Sequence, residues 1–272
     1  MEVVAKTGMK RVAFLSIVAV ALFSACQARK EVSQIWDYVN ERPDSALAVL
    51  NGMDASAFHG RTLAEYRLLK AMALDKNYVN VASDSLAMPA YQFFRRYGPK
   101  EKEMLSLYYL AISHYYADNY PEVILLLEEE TNMADAQGDY LYLGLGHIVK
   151  SYAFLGTYSA SEAVKSAELG VAAFEAIQDS FQVQRAKLQL ADSYHATKDY
   201  AKALGIYQEL IQTCQKDTIT MCRALIHGAY SLYLANPEQA DSALHYYERA
   251  LADYGASMSP VEAAHLGLVA AK

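Results

Sequence analysis

Cysteine, tryptophan, proline and glycine are all scarce in this sequence. Its 272 residues include 3 cysteines, 1 tryptophan, 6 prolines and 13 glycines. So few cysteines cannot form a disulfide framework. Cys214 and Cys222 fall on different predicted helices, which favours buried free thiols, with a bond between them in an oxidising compartment as the alternative. The shortage of glycine and proline, beside 22 tyrosines and abundant alanine, argues against a sheet protein and indicates close-packed helices.

A membrane-spanning apolar run is lacking as well. The apolar stretch Val12–Phe23 has 12 residues, whereas a helix that spans a bilayer needs about 20. Lys10 and Arg11 precede this stretch and small residues follow it, which is the layout of a secretory signal.

The signal ends in LFSAC, Leu22–Cys26, which resembles the lipobox of bacterial lipoproteins, with Phe23 where leucine is usual. The resemblance implies a signal peptide at 1–25, cleavage before Cys26, diacylation of Cys26 and a lipid-anchored tether at 26–30. Each acyl methylene buried in a membrane contributes about 0.8 kcal/mol, so several chains hold a domain there. The alternative is an ordinary secretory signal in which the cysteine occurs by chance.

The residues after the lipobox bear on the destination of the protein. Gln27 follows the cysteine, and no acidic cluster comes after it. This resembles the pattern of lipoproteins sorted to the outer membrane. The resemblance implies a bacterial cell-envelope protein, lipid-anchored at the outer membrane and facing the periplasm.

An excess of basic residues is absent. Without 1–25, the chain keeps 21 basic and 30 acidic residues. Phosphate recognition needs a basic face, so we expect no nucleic-acid partner.

A four-residue pattern recurs along the rest of the chain. Its third residues are Ala46, Leu86, Val123, Ala163, Ala203 and Ala243, spaced by 40, 37, 40, 40 and 40 residues. Such a period indicates stacked supersecondary units. Because the apolar residues between these positions recur at helical spacing, each period is predicted to be a helical hairpin.

The stretch LADSYHATKDYAKALGIYQELI, Leu190–Ile211, resembles a tetratricopeptide repeat, and 147–168 and 228–251 repeat its pattern. The resemblance covers roughly 31–256 and implies an all-α fold, a right-handed α-solenoid of about six helical hairpins. Periods near 40 exceed the usual length of about 34, which predicts longer connections between hairpins. An armadillo-like or HEAT-like solenoid is the alternative.

Residues 257–272 are predicted to form an extra terminal helix, either a cap or the start of a truncated repeat. Ser259 and Pro260 have the pattern of a helix start. The apolar residues expected to pack on the last hairpin are Val261, Ala264, His265, Leu268 and Val269.

The sequence contains no catalytic or cofactor-binding constellation. Its seven histidines lack the spacing of a zinc-protease helix, and Gly144–His147 lacks the glycine fingerprint of a phosphate loop. Glu128–Glu130 is interpreted as a solvated helix end. We therefore expect a protein that is not an enzyme and that needs no metal or cofactor.

By the same resemblance, the first helix of each hairpin lines a concave groove that binds peptides or protein segments. The carboxylate clamp of some family members is not implied, because Tyr108 and Ile112 stand where a cation and an amide are needed. Packing between hairpins is the alternative role for many of the tyrosines. The predicted groove residues are Leu105, Tyr108, Ile112, Tyr115 and Tyr116 in the third hairpin, Gly146, Lys150 and Phe154 in the fourth, and Arg185, Leu188, Asp192 and His195 in the fifth.

Three functions are compatible with these features. The favoured one is a non-catalytic, lipid-anchored scaffold, similar to the repeat lipoproteins of Bacteroidetes, that binds proteins or peptides in the cell envelope. The second is the sensor segment of a longer signalling or transcription regulator. A glycan-binding lipoprotein is the third, and it is disfavoured because such proteins use several tryptophans and this chain has only Trp36.

Overall fold

The computed structural model describes residues 29–214 and 217–255, where all regular structure is helical. The predicted all-α class is therefore confirmed for this part of the chain. The signal peptide, Cys26 and the terminal helix at 257–272 lie outside the described residues, and the end of the predicted tether, 29–30, already belongs to the first helix. The helices are α1 (29–35), α2 (Pro43–Gly52), α3 (Gly60–Lys76), α4 (Ala87–Tyr97), α5 (Lys100–Tyr116), α6 (Tyr120–Gln137), α7 (Tyr140–Gly156), α8 (Ala160–Ala176), α9 (Ser180–Ala196), α10 (Tyr200–Thr213), α11 (Thr218–Ala235) and α12 (Ala240–Tyr254).

The described residues form two compact units, 29–117 and 118–255. In the first unit, α2 packs on α3, α3 on α4 and α4 on α5, and α3 also contacts α5. Leu68, Leu69 and Leu107 are fully buried in it. No helix in the described part of the chain is long and apolar enough to cross a membrane.

The second unit contains α6 to α12, and each helix packs on the next. In addition, α9 contacts both α7 and α11. The first helices of consecutive hairpins are therefore neighbours, so the hairpins of this unit stack in one direction.

The helices of the second unit follow a 20-residue rhythm. From Tyr120 to Tyr200 a helix begins every 20 residues, and α7, α8 and α9 each have 17 residues. The connections from α7 to α8, from α8 to α9 and from α9 to α10 are each three residues long. Each contains one residue of positive φ, namely Tyr158, Gln178 and Lys198. The prediction of longer connections is therefore wrong here, because the extra length lies in the helices.

Small residues lie where these helices cross. Ala163, Ala203 and Ala243 are all buried, as the aligned pattern predicts. A Cβ at Gly144 of α7 would come within 2.6 Å of the Phe174 ring on α8. Two backbones can approach closely at such positions because no large side chain separates them.

We expect Ala203→Trp to destabilise the second unit by at least about 1–3 kcal/mol, the usual effect of overpacking a core site. Ala203 is fully buried, whereas Ala201, two residues earlier on α10, is exposed. Ala201→Trp is the matched control and should change stability by less than about 0.5 kcal/mol. Urea unfolding measures both variants, and equal losses would contradict the assigned crossing point.

Candidate functional site

The groove residues predicted on α5 are largely inside the first unit. Leu105, Tyr108 and Ile112 are buried, so the prediction that they line an open groove is wrong. All residues from Glu103 to Ser113 are buried. Because this helix is covered on every side, it has no exposed face that the spacing of apolar residues could predict. Tyr115 and Tyr116 follow this stretch and are half-buried.

Tyr116 is fixed by the neighbouring α3. Its hydroxyl donates a hydrogen bond to Asp75 Oδ1 at 3.1 Å. Burial raises the pKa of Asp75 more than this hydrogen bond and Lys76 lower it. The hydroxyl therefore has an internal role, which reduces what Tyr116 can offer to a partner.

The predicted residues on α7 are also mostly internal. Lys150 is buried, and its Nζ lies 2.8 Å from Glu128 Oε2 on α6. Gly146 is buried, and a Cβ there would meet the carboxyl group of Glu130. Phe154 is half-buried.

Glu130 corrects the interpretation of Glu128–Glu130 as a solvated helix end. It is fully buried, and neither carboxyl oxygen has a hydrogen-bond partner among the described residues. Burial raises the pKa of Glu130 well above its usual value. Burial also lowers the pKa of His147, which lies next to Gly146, to about 4. His147 is therefore uncharged at neutral pH, and burial favours the protonated form of Glu130.

Asp192 on α9 is the centre of a polar cluster with residues of α10 and α11. Arg223 Nη2 lies 3.0 Å from its Oδ2. His227 Nδ1 donates to its Oδ1 at 2.6 Å, and the Tyr207 hydroxyl donates to the same oxygen at 2.6 Å. We call these four residues the Asp192 cluster.

The charge state of the Asp192 cluster follows from these contacts. Burial raises the pKa of Asp192, but His227, Arg223 and the Tyr207 hydroxyl together lower it below its ordinary value. Burial and the nearby carboxylate raise the pKa of Tyr207, so its hydroxyl keeps the proton that it donates. Asp192 is therefore a carboxylate that joins three helices.

His195 lies about one turn after Asp192 on α9. Its Nδ1 lies 2.8 Å from the Ser231 hydroxyl, and its ring packs between Tyr200 and Tyr230, each with a centroid distance of 5.2 Å. Burial first, and then His227, lower the pKa of His195. The ring is consequently held neutral and fixed in orientation.

The remaining predicted residues of α9 divide between surface and core. Arg185 is exposed and lies over the Phe181 ring at 5.5 Å from its centroid. Leu188 is buried in a cluster with Ala203 and Tyr207 of α10, so it does not line a surface. The structure therefore brings Arg185, Asp192 and His195 together on one helix and removes Leu188 from the site.

Sequence reasoning missed the residues that α11 adds to this surface. Arg223, His227 and Tyr230 keep part of their side chains exposed. Because α10 has only 14 residues, α11 begins 38 residues after α9 rather than 40. Ser193 of α9 and Ser231 of α11 are both fully buried. An alignment of the two helices that pairs these serines could have identified Arg223, His227 and Tyr230. We call the exposed parts of Arg185, Asp192, His195, Arg223, His227 and Tyr230 the α9–α11 surface.

Nowhere in residues 29–214 and 217–255 do three or more histidine, cysteine, aspartate or glutamate side chains meet so that they could hold a metal ion. Cys214 and Cys222 are free and buried, as the sequence favours, and burial raises the pKa of Cys214, which makes a thiolate unfavourable.

Comparison with solved structures identifies the fold class. The chain superposes with a TM-score of 0.67 and 13% identity on a signal transduction ATPase with a tetratricopeptide repeat sensor from Pyrococcus horikoshii, covering 92% of this chain and 44% of that one. For the apo form of RapI the TM-score is 0.65 at 10% identity, with 91% and 68% covered. For a putative kinesin light chain with TPR-like repeats from Podosopora anserina it is 0.58 at 14% identity, with 70% and 94% covered.

These similarities show an all-α helical-repeat fold of the tetratricopeptide type. The chain spans less than half the length of the first of these structures. No family model matches the sequence. No curated protein matches it either.

We expect Asp192→Asn to destabilise the protein by about 1.5–3 kcal/mol at pH 7, since it removes hydrogen bonds to a charged group. The pKa of Asp192 is lower in the folded chain than its ordinary value of 3.8. Its stabilising effect is therefore complete above about pH 4 and is lost as the pH falls through the folded-state pKa.

Urea unfolding of wild type and Asp192→Asn at pH 7 and pH 3 measures this dependence. The difference between the two proteins should be smaller at pH 3. Asp84→Asn, which changes an exposed carboxylate, is the control and should have little effect at either pH. A constant difference for Asp192→Asn would show that its charge is not what stabilises the cluster.

Proposed function

We propose that this protein is a non-catalytic scaffold that binds protein or peptide partners through the α9–α11 surface. The observation that carries the proposal is the Asp192 cluster, which fixes the side chains of Arg223 and His227 while leaving them partly exposed. Tyrosine and arginine are enriched among the residues that dominate binding energy. Side chains that are already ordered lose little entropy when a partner binds.

The chemistry of the surface indicates an extended segment with both polar and aromatic contacts. Tyr230 offers an amphipathic ring that is 43% exposed, and Arg185 and Arg223 offer planar hydrogen-bond donors on the same surface. The tetratricopeptide fold supports this proposal, because stacked hairpins present extended binding surfaces.

A sensor segment of a longer signalling protein is the second candidate function. It is favoured by the likeness to the Pyrococcus horikoshii protein, in which a tetratricopeptide repeat sensor occurs within a longer chain. The two candidates share the same binding surface. They differ in whether binding changes the activity of a further domain.

We expect Tyr230→Ala to weaken partner binding at least about tenfold, the effect of losing roughly 1.4 kcal/mol. A photocrosslinking residue at Arg185 in the native membrane identifies the partner, and titration with the purified partner gives the Kd. Tyr140→Ala is the matched control, because Tyr140 is 42% exposed but lies at the start of α7. Equal Kd values for the two variants would contradict the proposed surface.

We further propose that the scaffold is lipid-anchored in the bacterial cell envelope, at the periplasmic face of the outer membrane. Support comes from the sequence LFSAC, Leu22–Cys26, which is followed by Gln27. Such an anchor would hold the α9–α11 surface near a membrane without a spanning helix.

We expect Cys26→Ser to abolish labelling by a palmitate analogue, because acyl transfer needs the thiol. The protein should then remain unprocessed. Cys214→Ser is the control and should keep the label, since Cys214 is buried in the folded chain. Metabolic labelling followed by gel analysis measures both, and label that persists in Cys26→Ser would exclude the lipobox.

A further inference from the structure

A narrow pocket with mainly apolar walls lies in the first unit, where α3, α4 and α5 meet. Both α3 and α5 end at this pocket, and the connection 77–86 between α3 and α4 forms one side of it. The empty space is about 310 Å³ when the open mouth is included, so only a slender group can enter. The apolar walls include Leu74, Val81, Leu86 and Ile112.

One carboxyl group interrupts these apolar walls. Asp75 lies in the last turn of α3, and the hydroxyl of Tyr116 at the end of α5 donates a hydrogen bond to its Oδ1 at 3.1 Å. Among the described residues this is the one hydrogen bond to the Asp75 side chain. Because a carboxylate can accept about four hydrogen bonds, Asp75 keeps acceptor capacity for a ligand in the pocket.

The electrostatics of the pocket favour a cation. Asp75 is the one charged residue among the described residues that line it, since the neighbouring Lys76 does not. Burial raises the pKa of Asp75 more than Tyr116 and Lys76 lower it, so the negative charge is incompletely compensated. Two helices end at the pocket and one begins there, and helix C-termini attract cations. A cationic ligand would supply the missing compensation.

We propose that this pocket binds a primary ammonium group on an aliphatic stem, the chemistry shared by a lysine side chain of a partner and a free alkylamine. The ammonium group donates to the Asp75 carboxylate, and the methylenes of the stem pack on Leu74, Leu86 and Ile112. Such stems bury readily along apolar surface while the charged head is paired. Tyr116 is a positioning residue, because its hydroxyl orients the carboxylate. The site belongs to the first unit and does not involve the α9–α11 surface.

Titration of the full chain with n-butylammonium chloride, followed by the backbone amide NMR signals of residues 74–87, tests the proposal. We expect saturable shifts, and n-butanol, which has the same stem without the charge, should bind at least about tenfold more weakly. Asp75→Asn should weaken n-butylammonium binding at least about tenfold, because hydrogen bonds to a charged group are stronger than neutral ones. Asp84→Asn removes an exposed carboxylate from the same connection and should leave the Kd unchanged.

Blocking the mouth of the pocket tests its location even if Asp75→Asn alters folding. Val79 borders the pocket and is 43% exposed, so Val79→Trp should fill the entrance without disturbing the core and should abolish binding of n-butylammonium. Tyr78→Trp is the matched control, because Tyr78 is 84% exposed and does not line the pocket. Absence of saturable binding, equal binding of n-butanol, or binding that survives in Asp75→Asn and Val79→Trp would each overturn the proposal.

The methylamide of Nα-acetyl-lysine distinguishes the two sources of the ammonium group. If it binds at least as tightly as n-butylammonium, the ligand is a lysine side chain of a partner. If it does not bind while n-butylammonium does, the ligand is a free alkylamine, and either result supports the ammonium chemistry. The Nε-acetylated form, which has no charge, should bind at least about tenfold more weakly than n-butylammonium, and equal binding of these two compounds would overturn the proposal.

Discussion

The close approach of helices at alanine and glycine is the constraint on which the second unit depends. Ala163 and Ala203 are fully buried at crossings, and Gly170 leaves only enough room for Ile148 of the facing helix. Because the backbones meet there, larger residues such as Phe174 and Tyr207 can fill the space beside each crossing and join one helix to the next. The stacking of α7, α9 and α11 as neighbours follows from these contacts.

Polar groups within the same packing determine what the unit presents to solvent. The Tyr207 side chain is fully buried, yet its hydroxyl reaches Asp192, whose other oxygen holds Arg223. A single carboxylate therefore links the core of α10 to the exposed side of α11. The Glu130 carboxyl group on α6 is the opposite case, since it is buried with no hydrogen-bond partner among the described residues and burial raises its pKa.

Much of the fold could be predicted from the sequence, because the repeat marks residues that packing constrains strongly. Ala203 and Ala243 were located by spacing alone and are buried as expected. The division of each period into helices and connections could not be predicted, because a spacing of 40 residues gives only the sum of their lengths.

The residues of the candidate site were predicted less well than the fold. Periodicity groups residues on one face of a helix, but it does not report how many neighbours cover that helix, so the burial of Tyr108 and Leu188 was missed. The shorter α10 shifted the alignment, and the contribution of Arg223 and Tyr230 was missed with it.

The length of the helices also sets the scale of what the α9–α11 surface can hold. A helix of 17 residues, as in α9, is about 25 Å long. An extended chain advances about 3.4 Å per residue, so a segment running along α9 would place roughly seven residues against it. If the extra residues of a repeat were in its loops, they would lengthen mobile loops and would not enlarge the helical surface that contacts a ligand. In this unit the extra length lies in the helices. Each first helix can therefore contact about one more residue of an extended ligand, on a rigid surface.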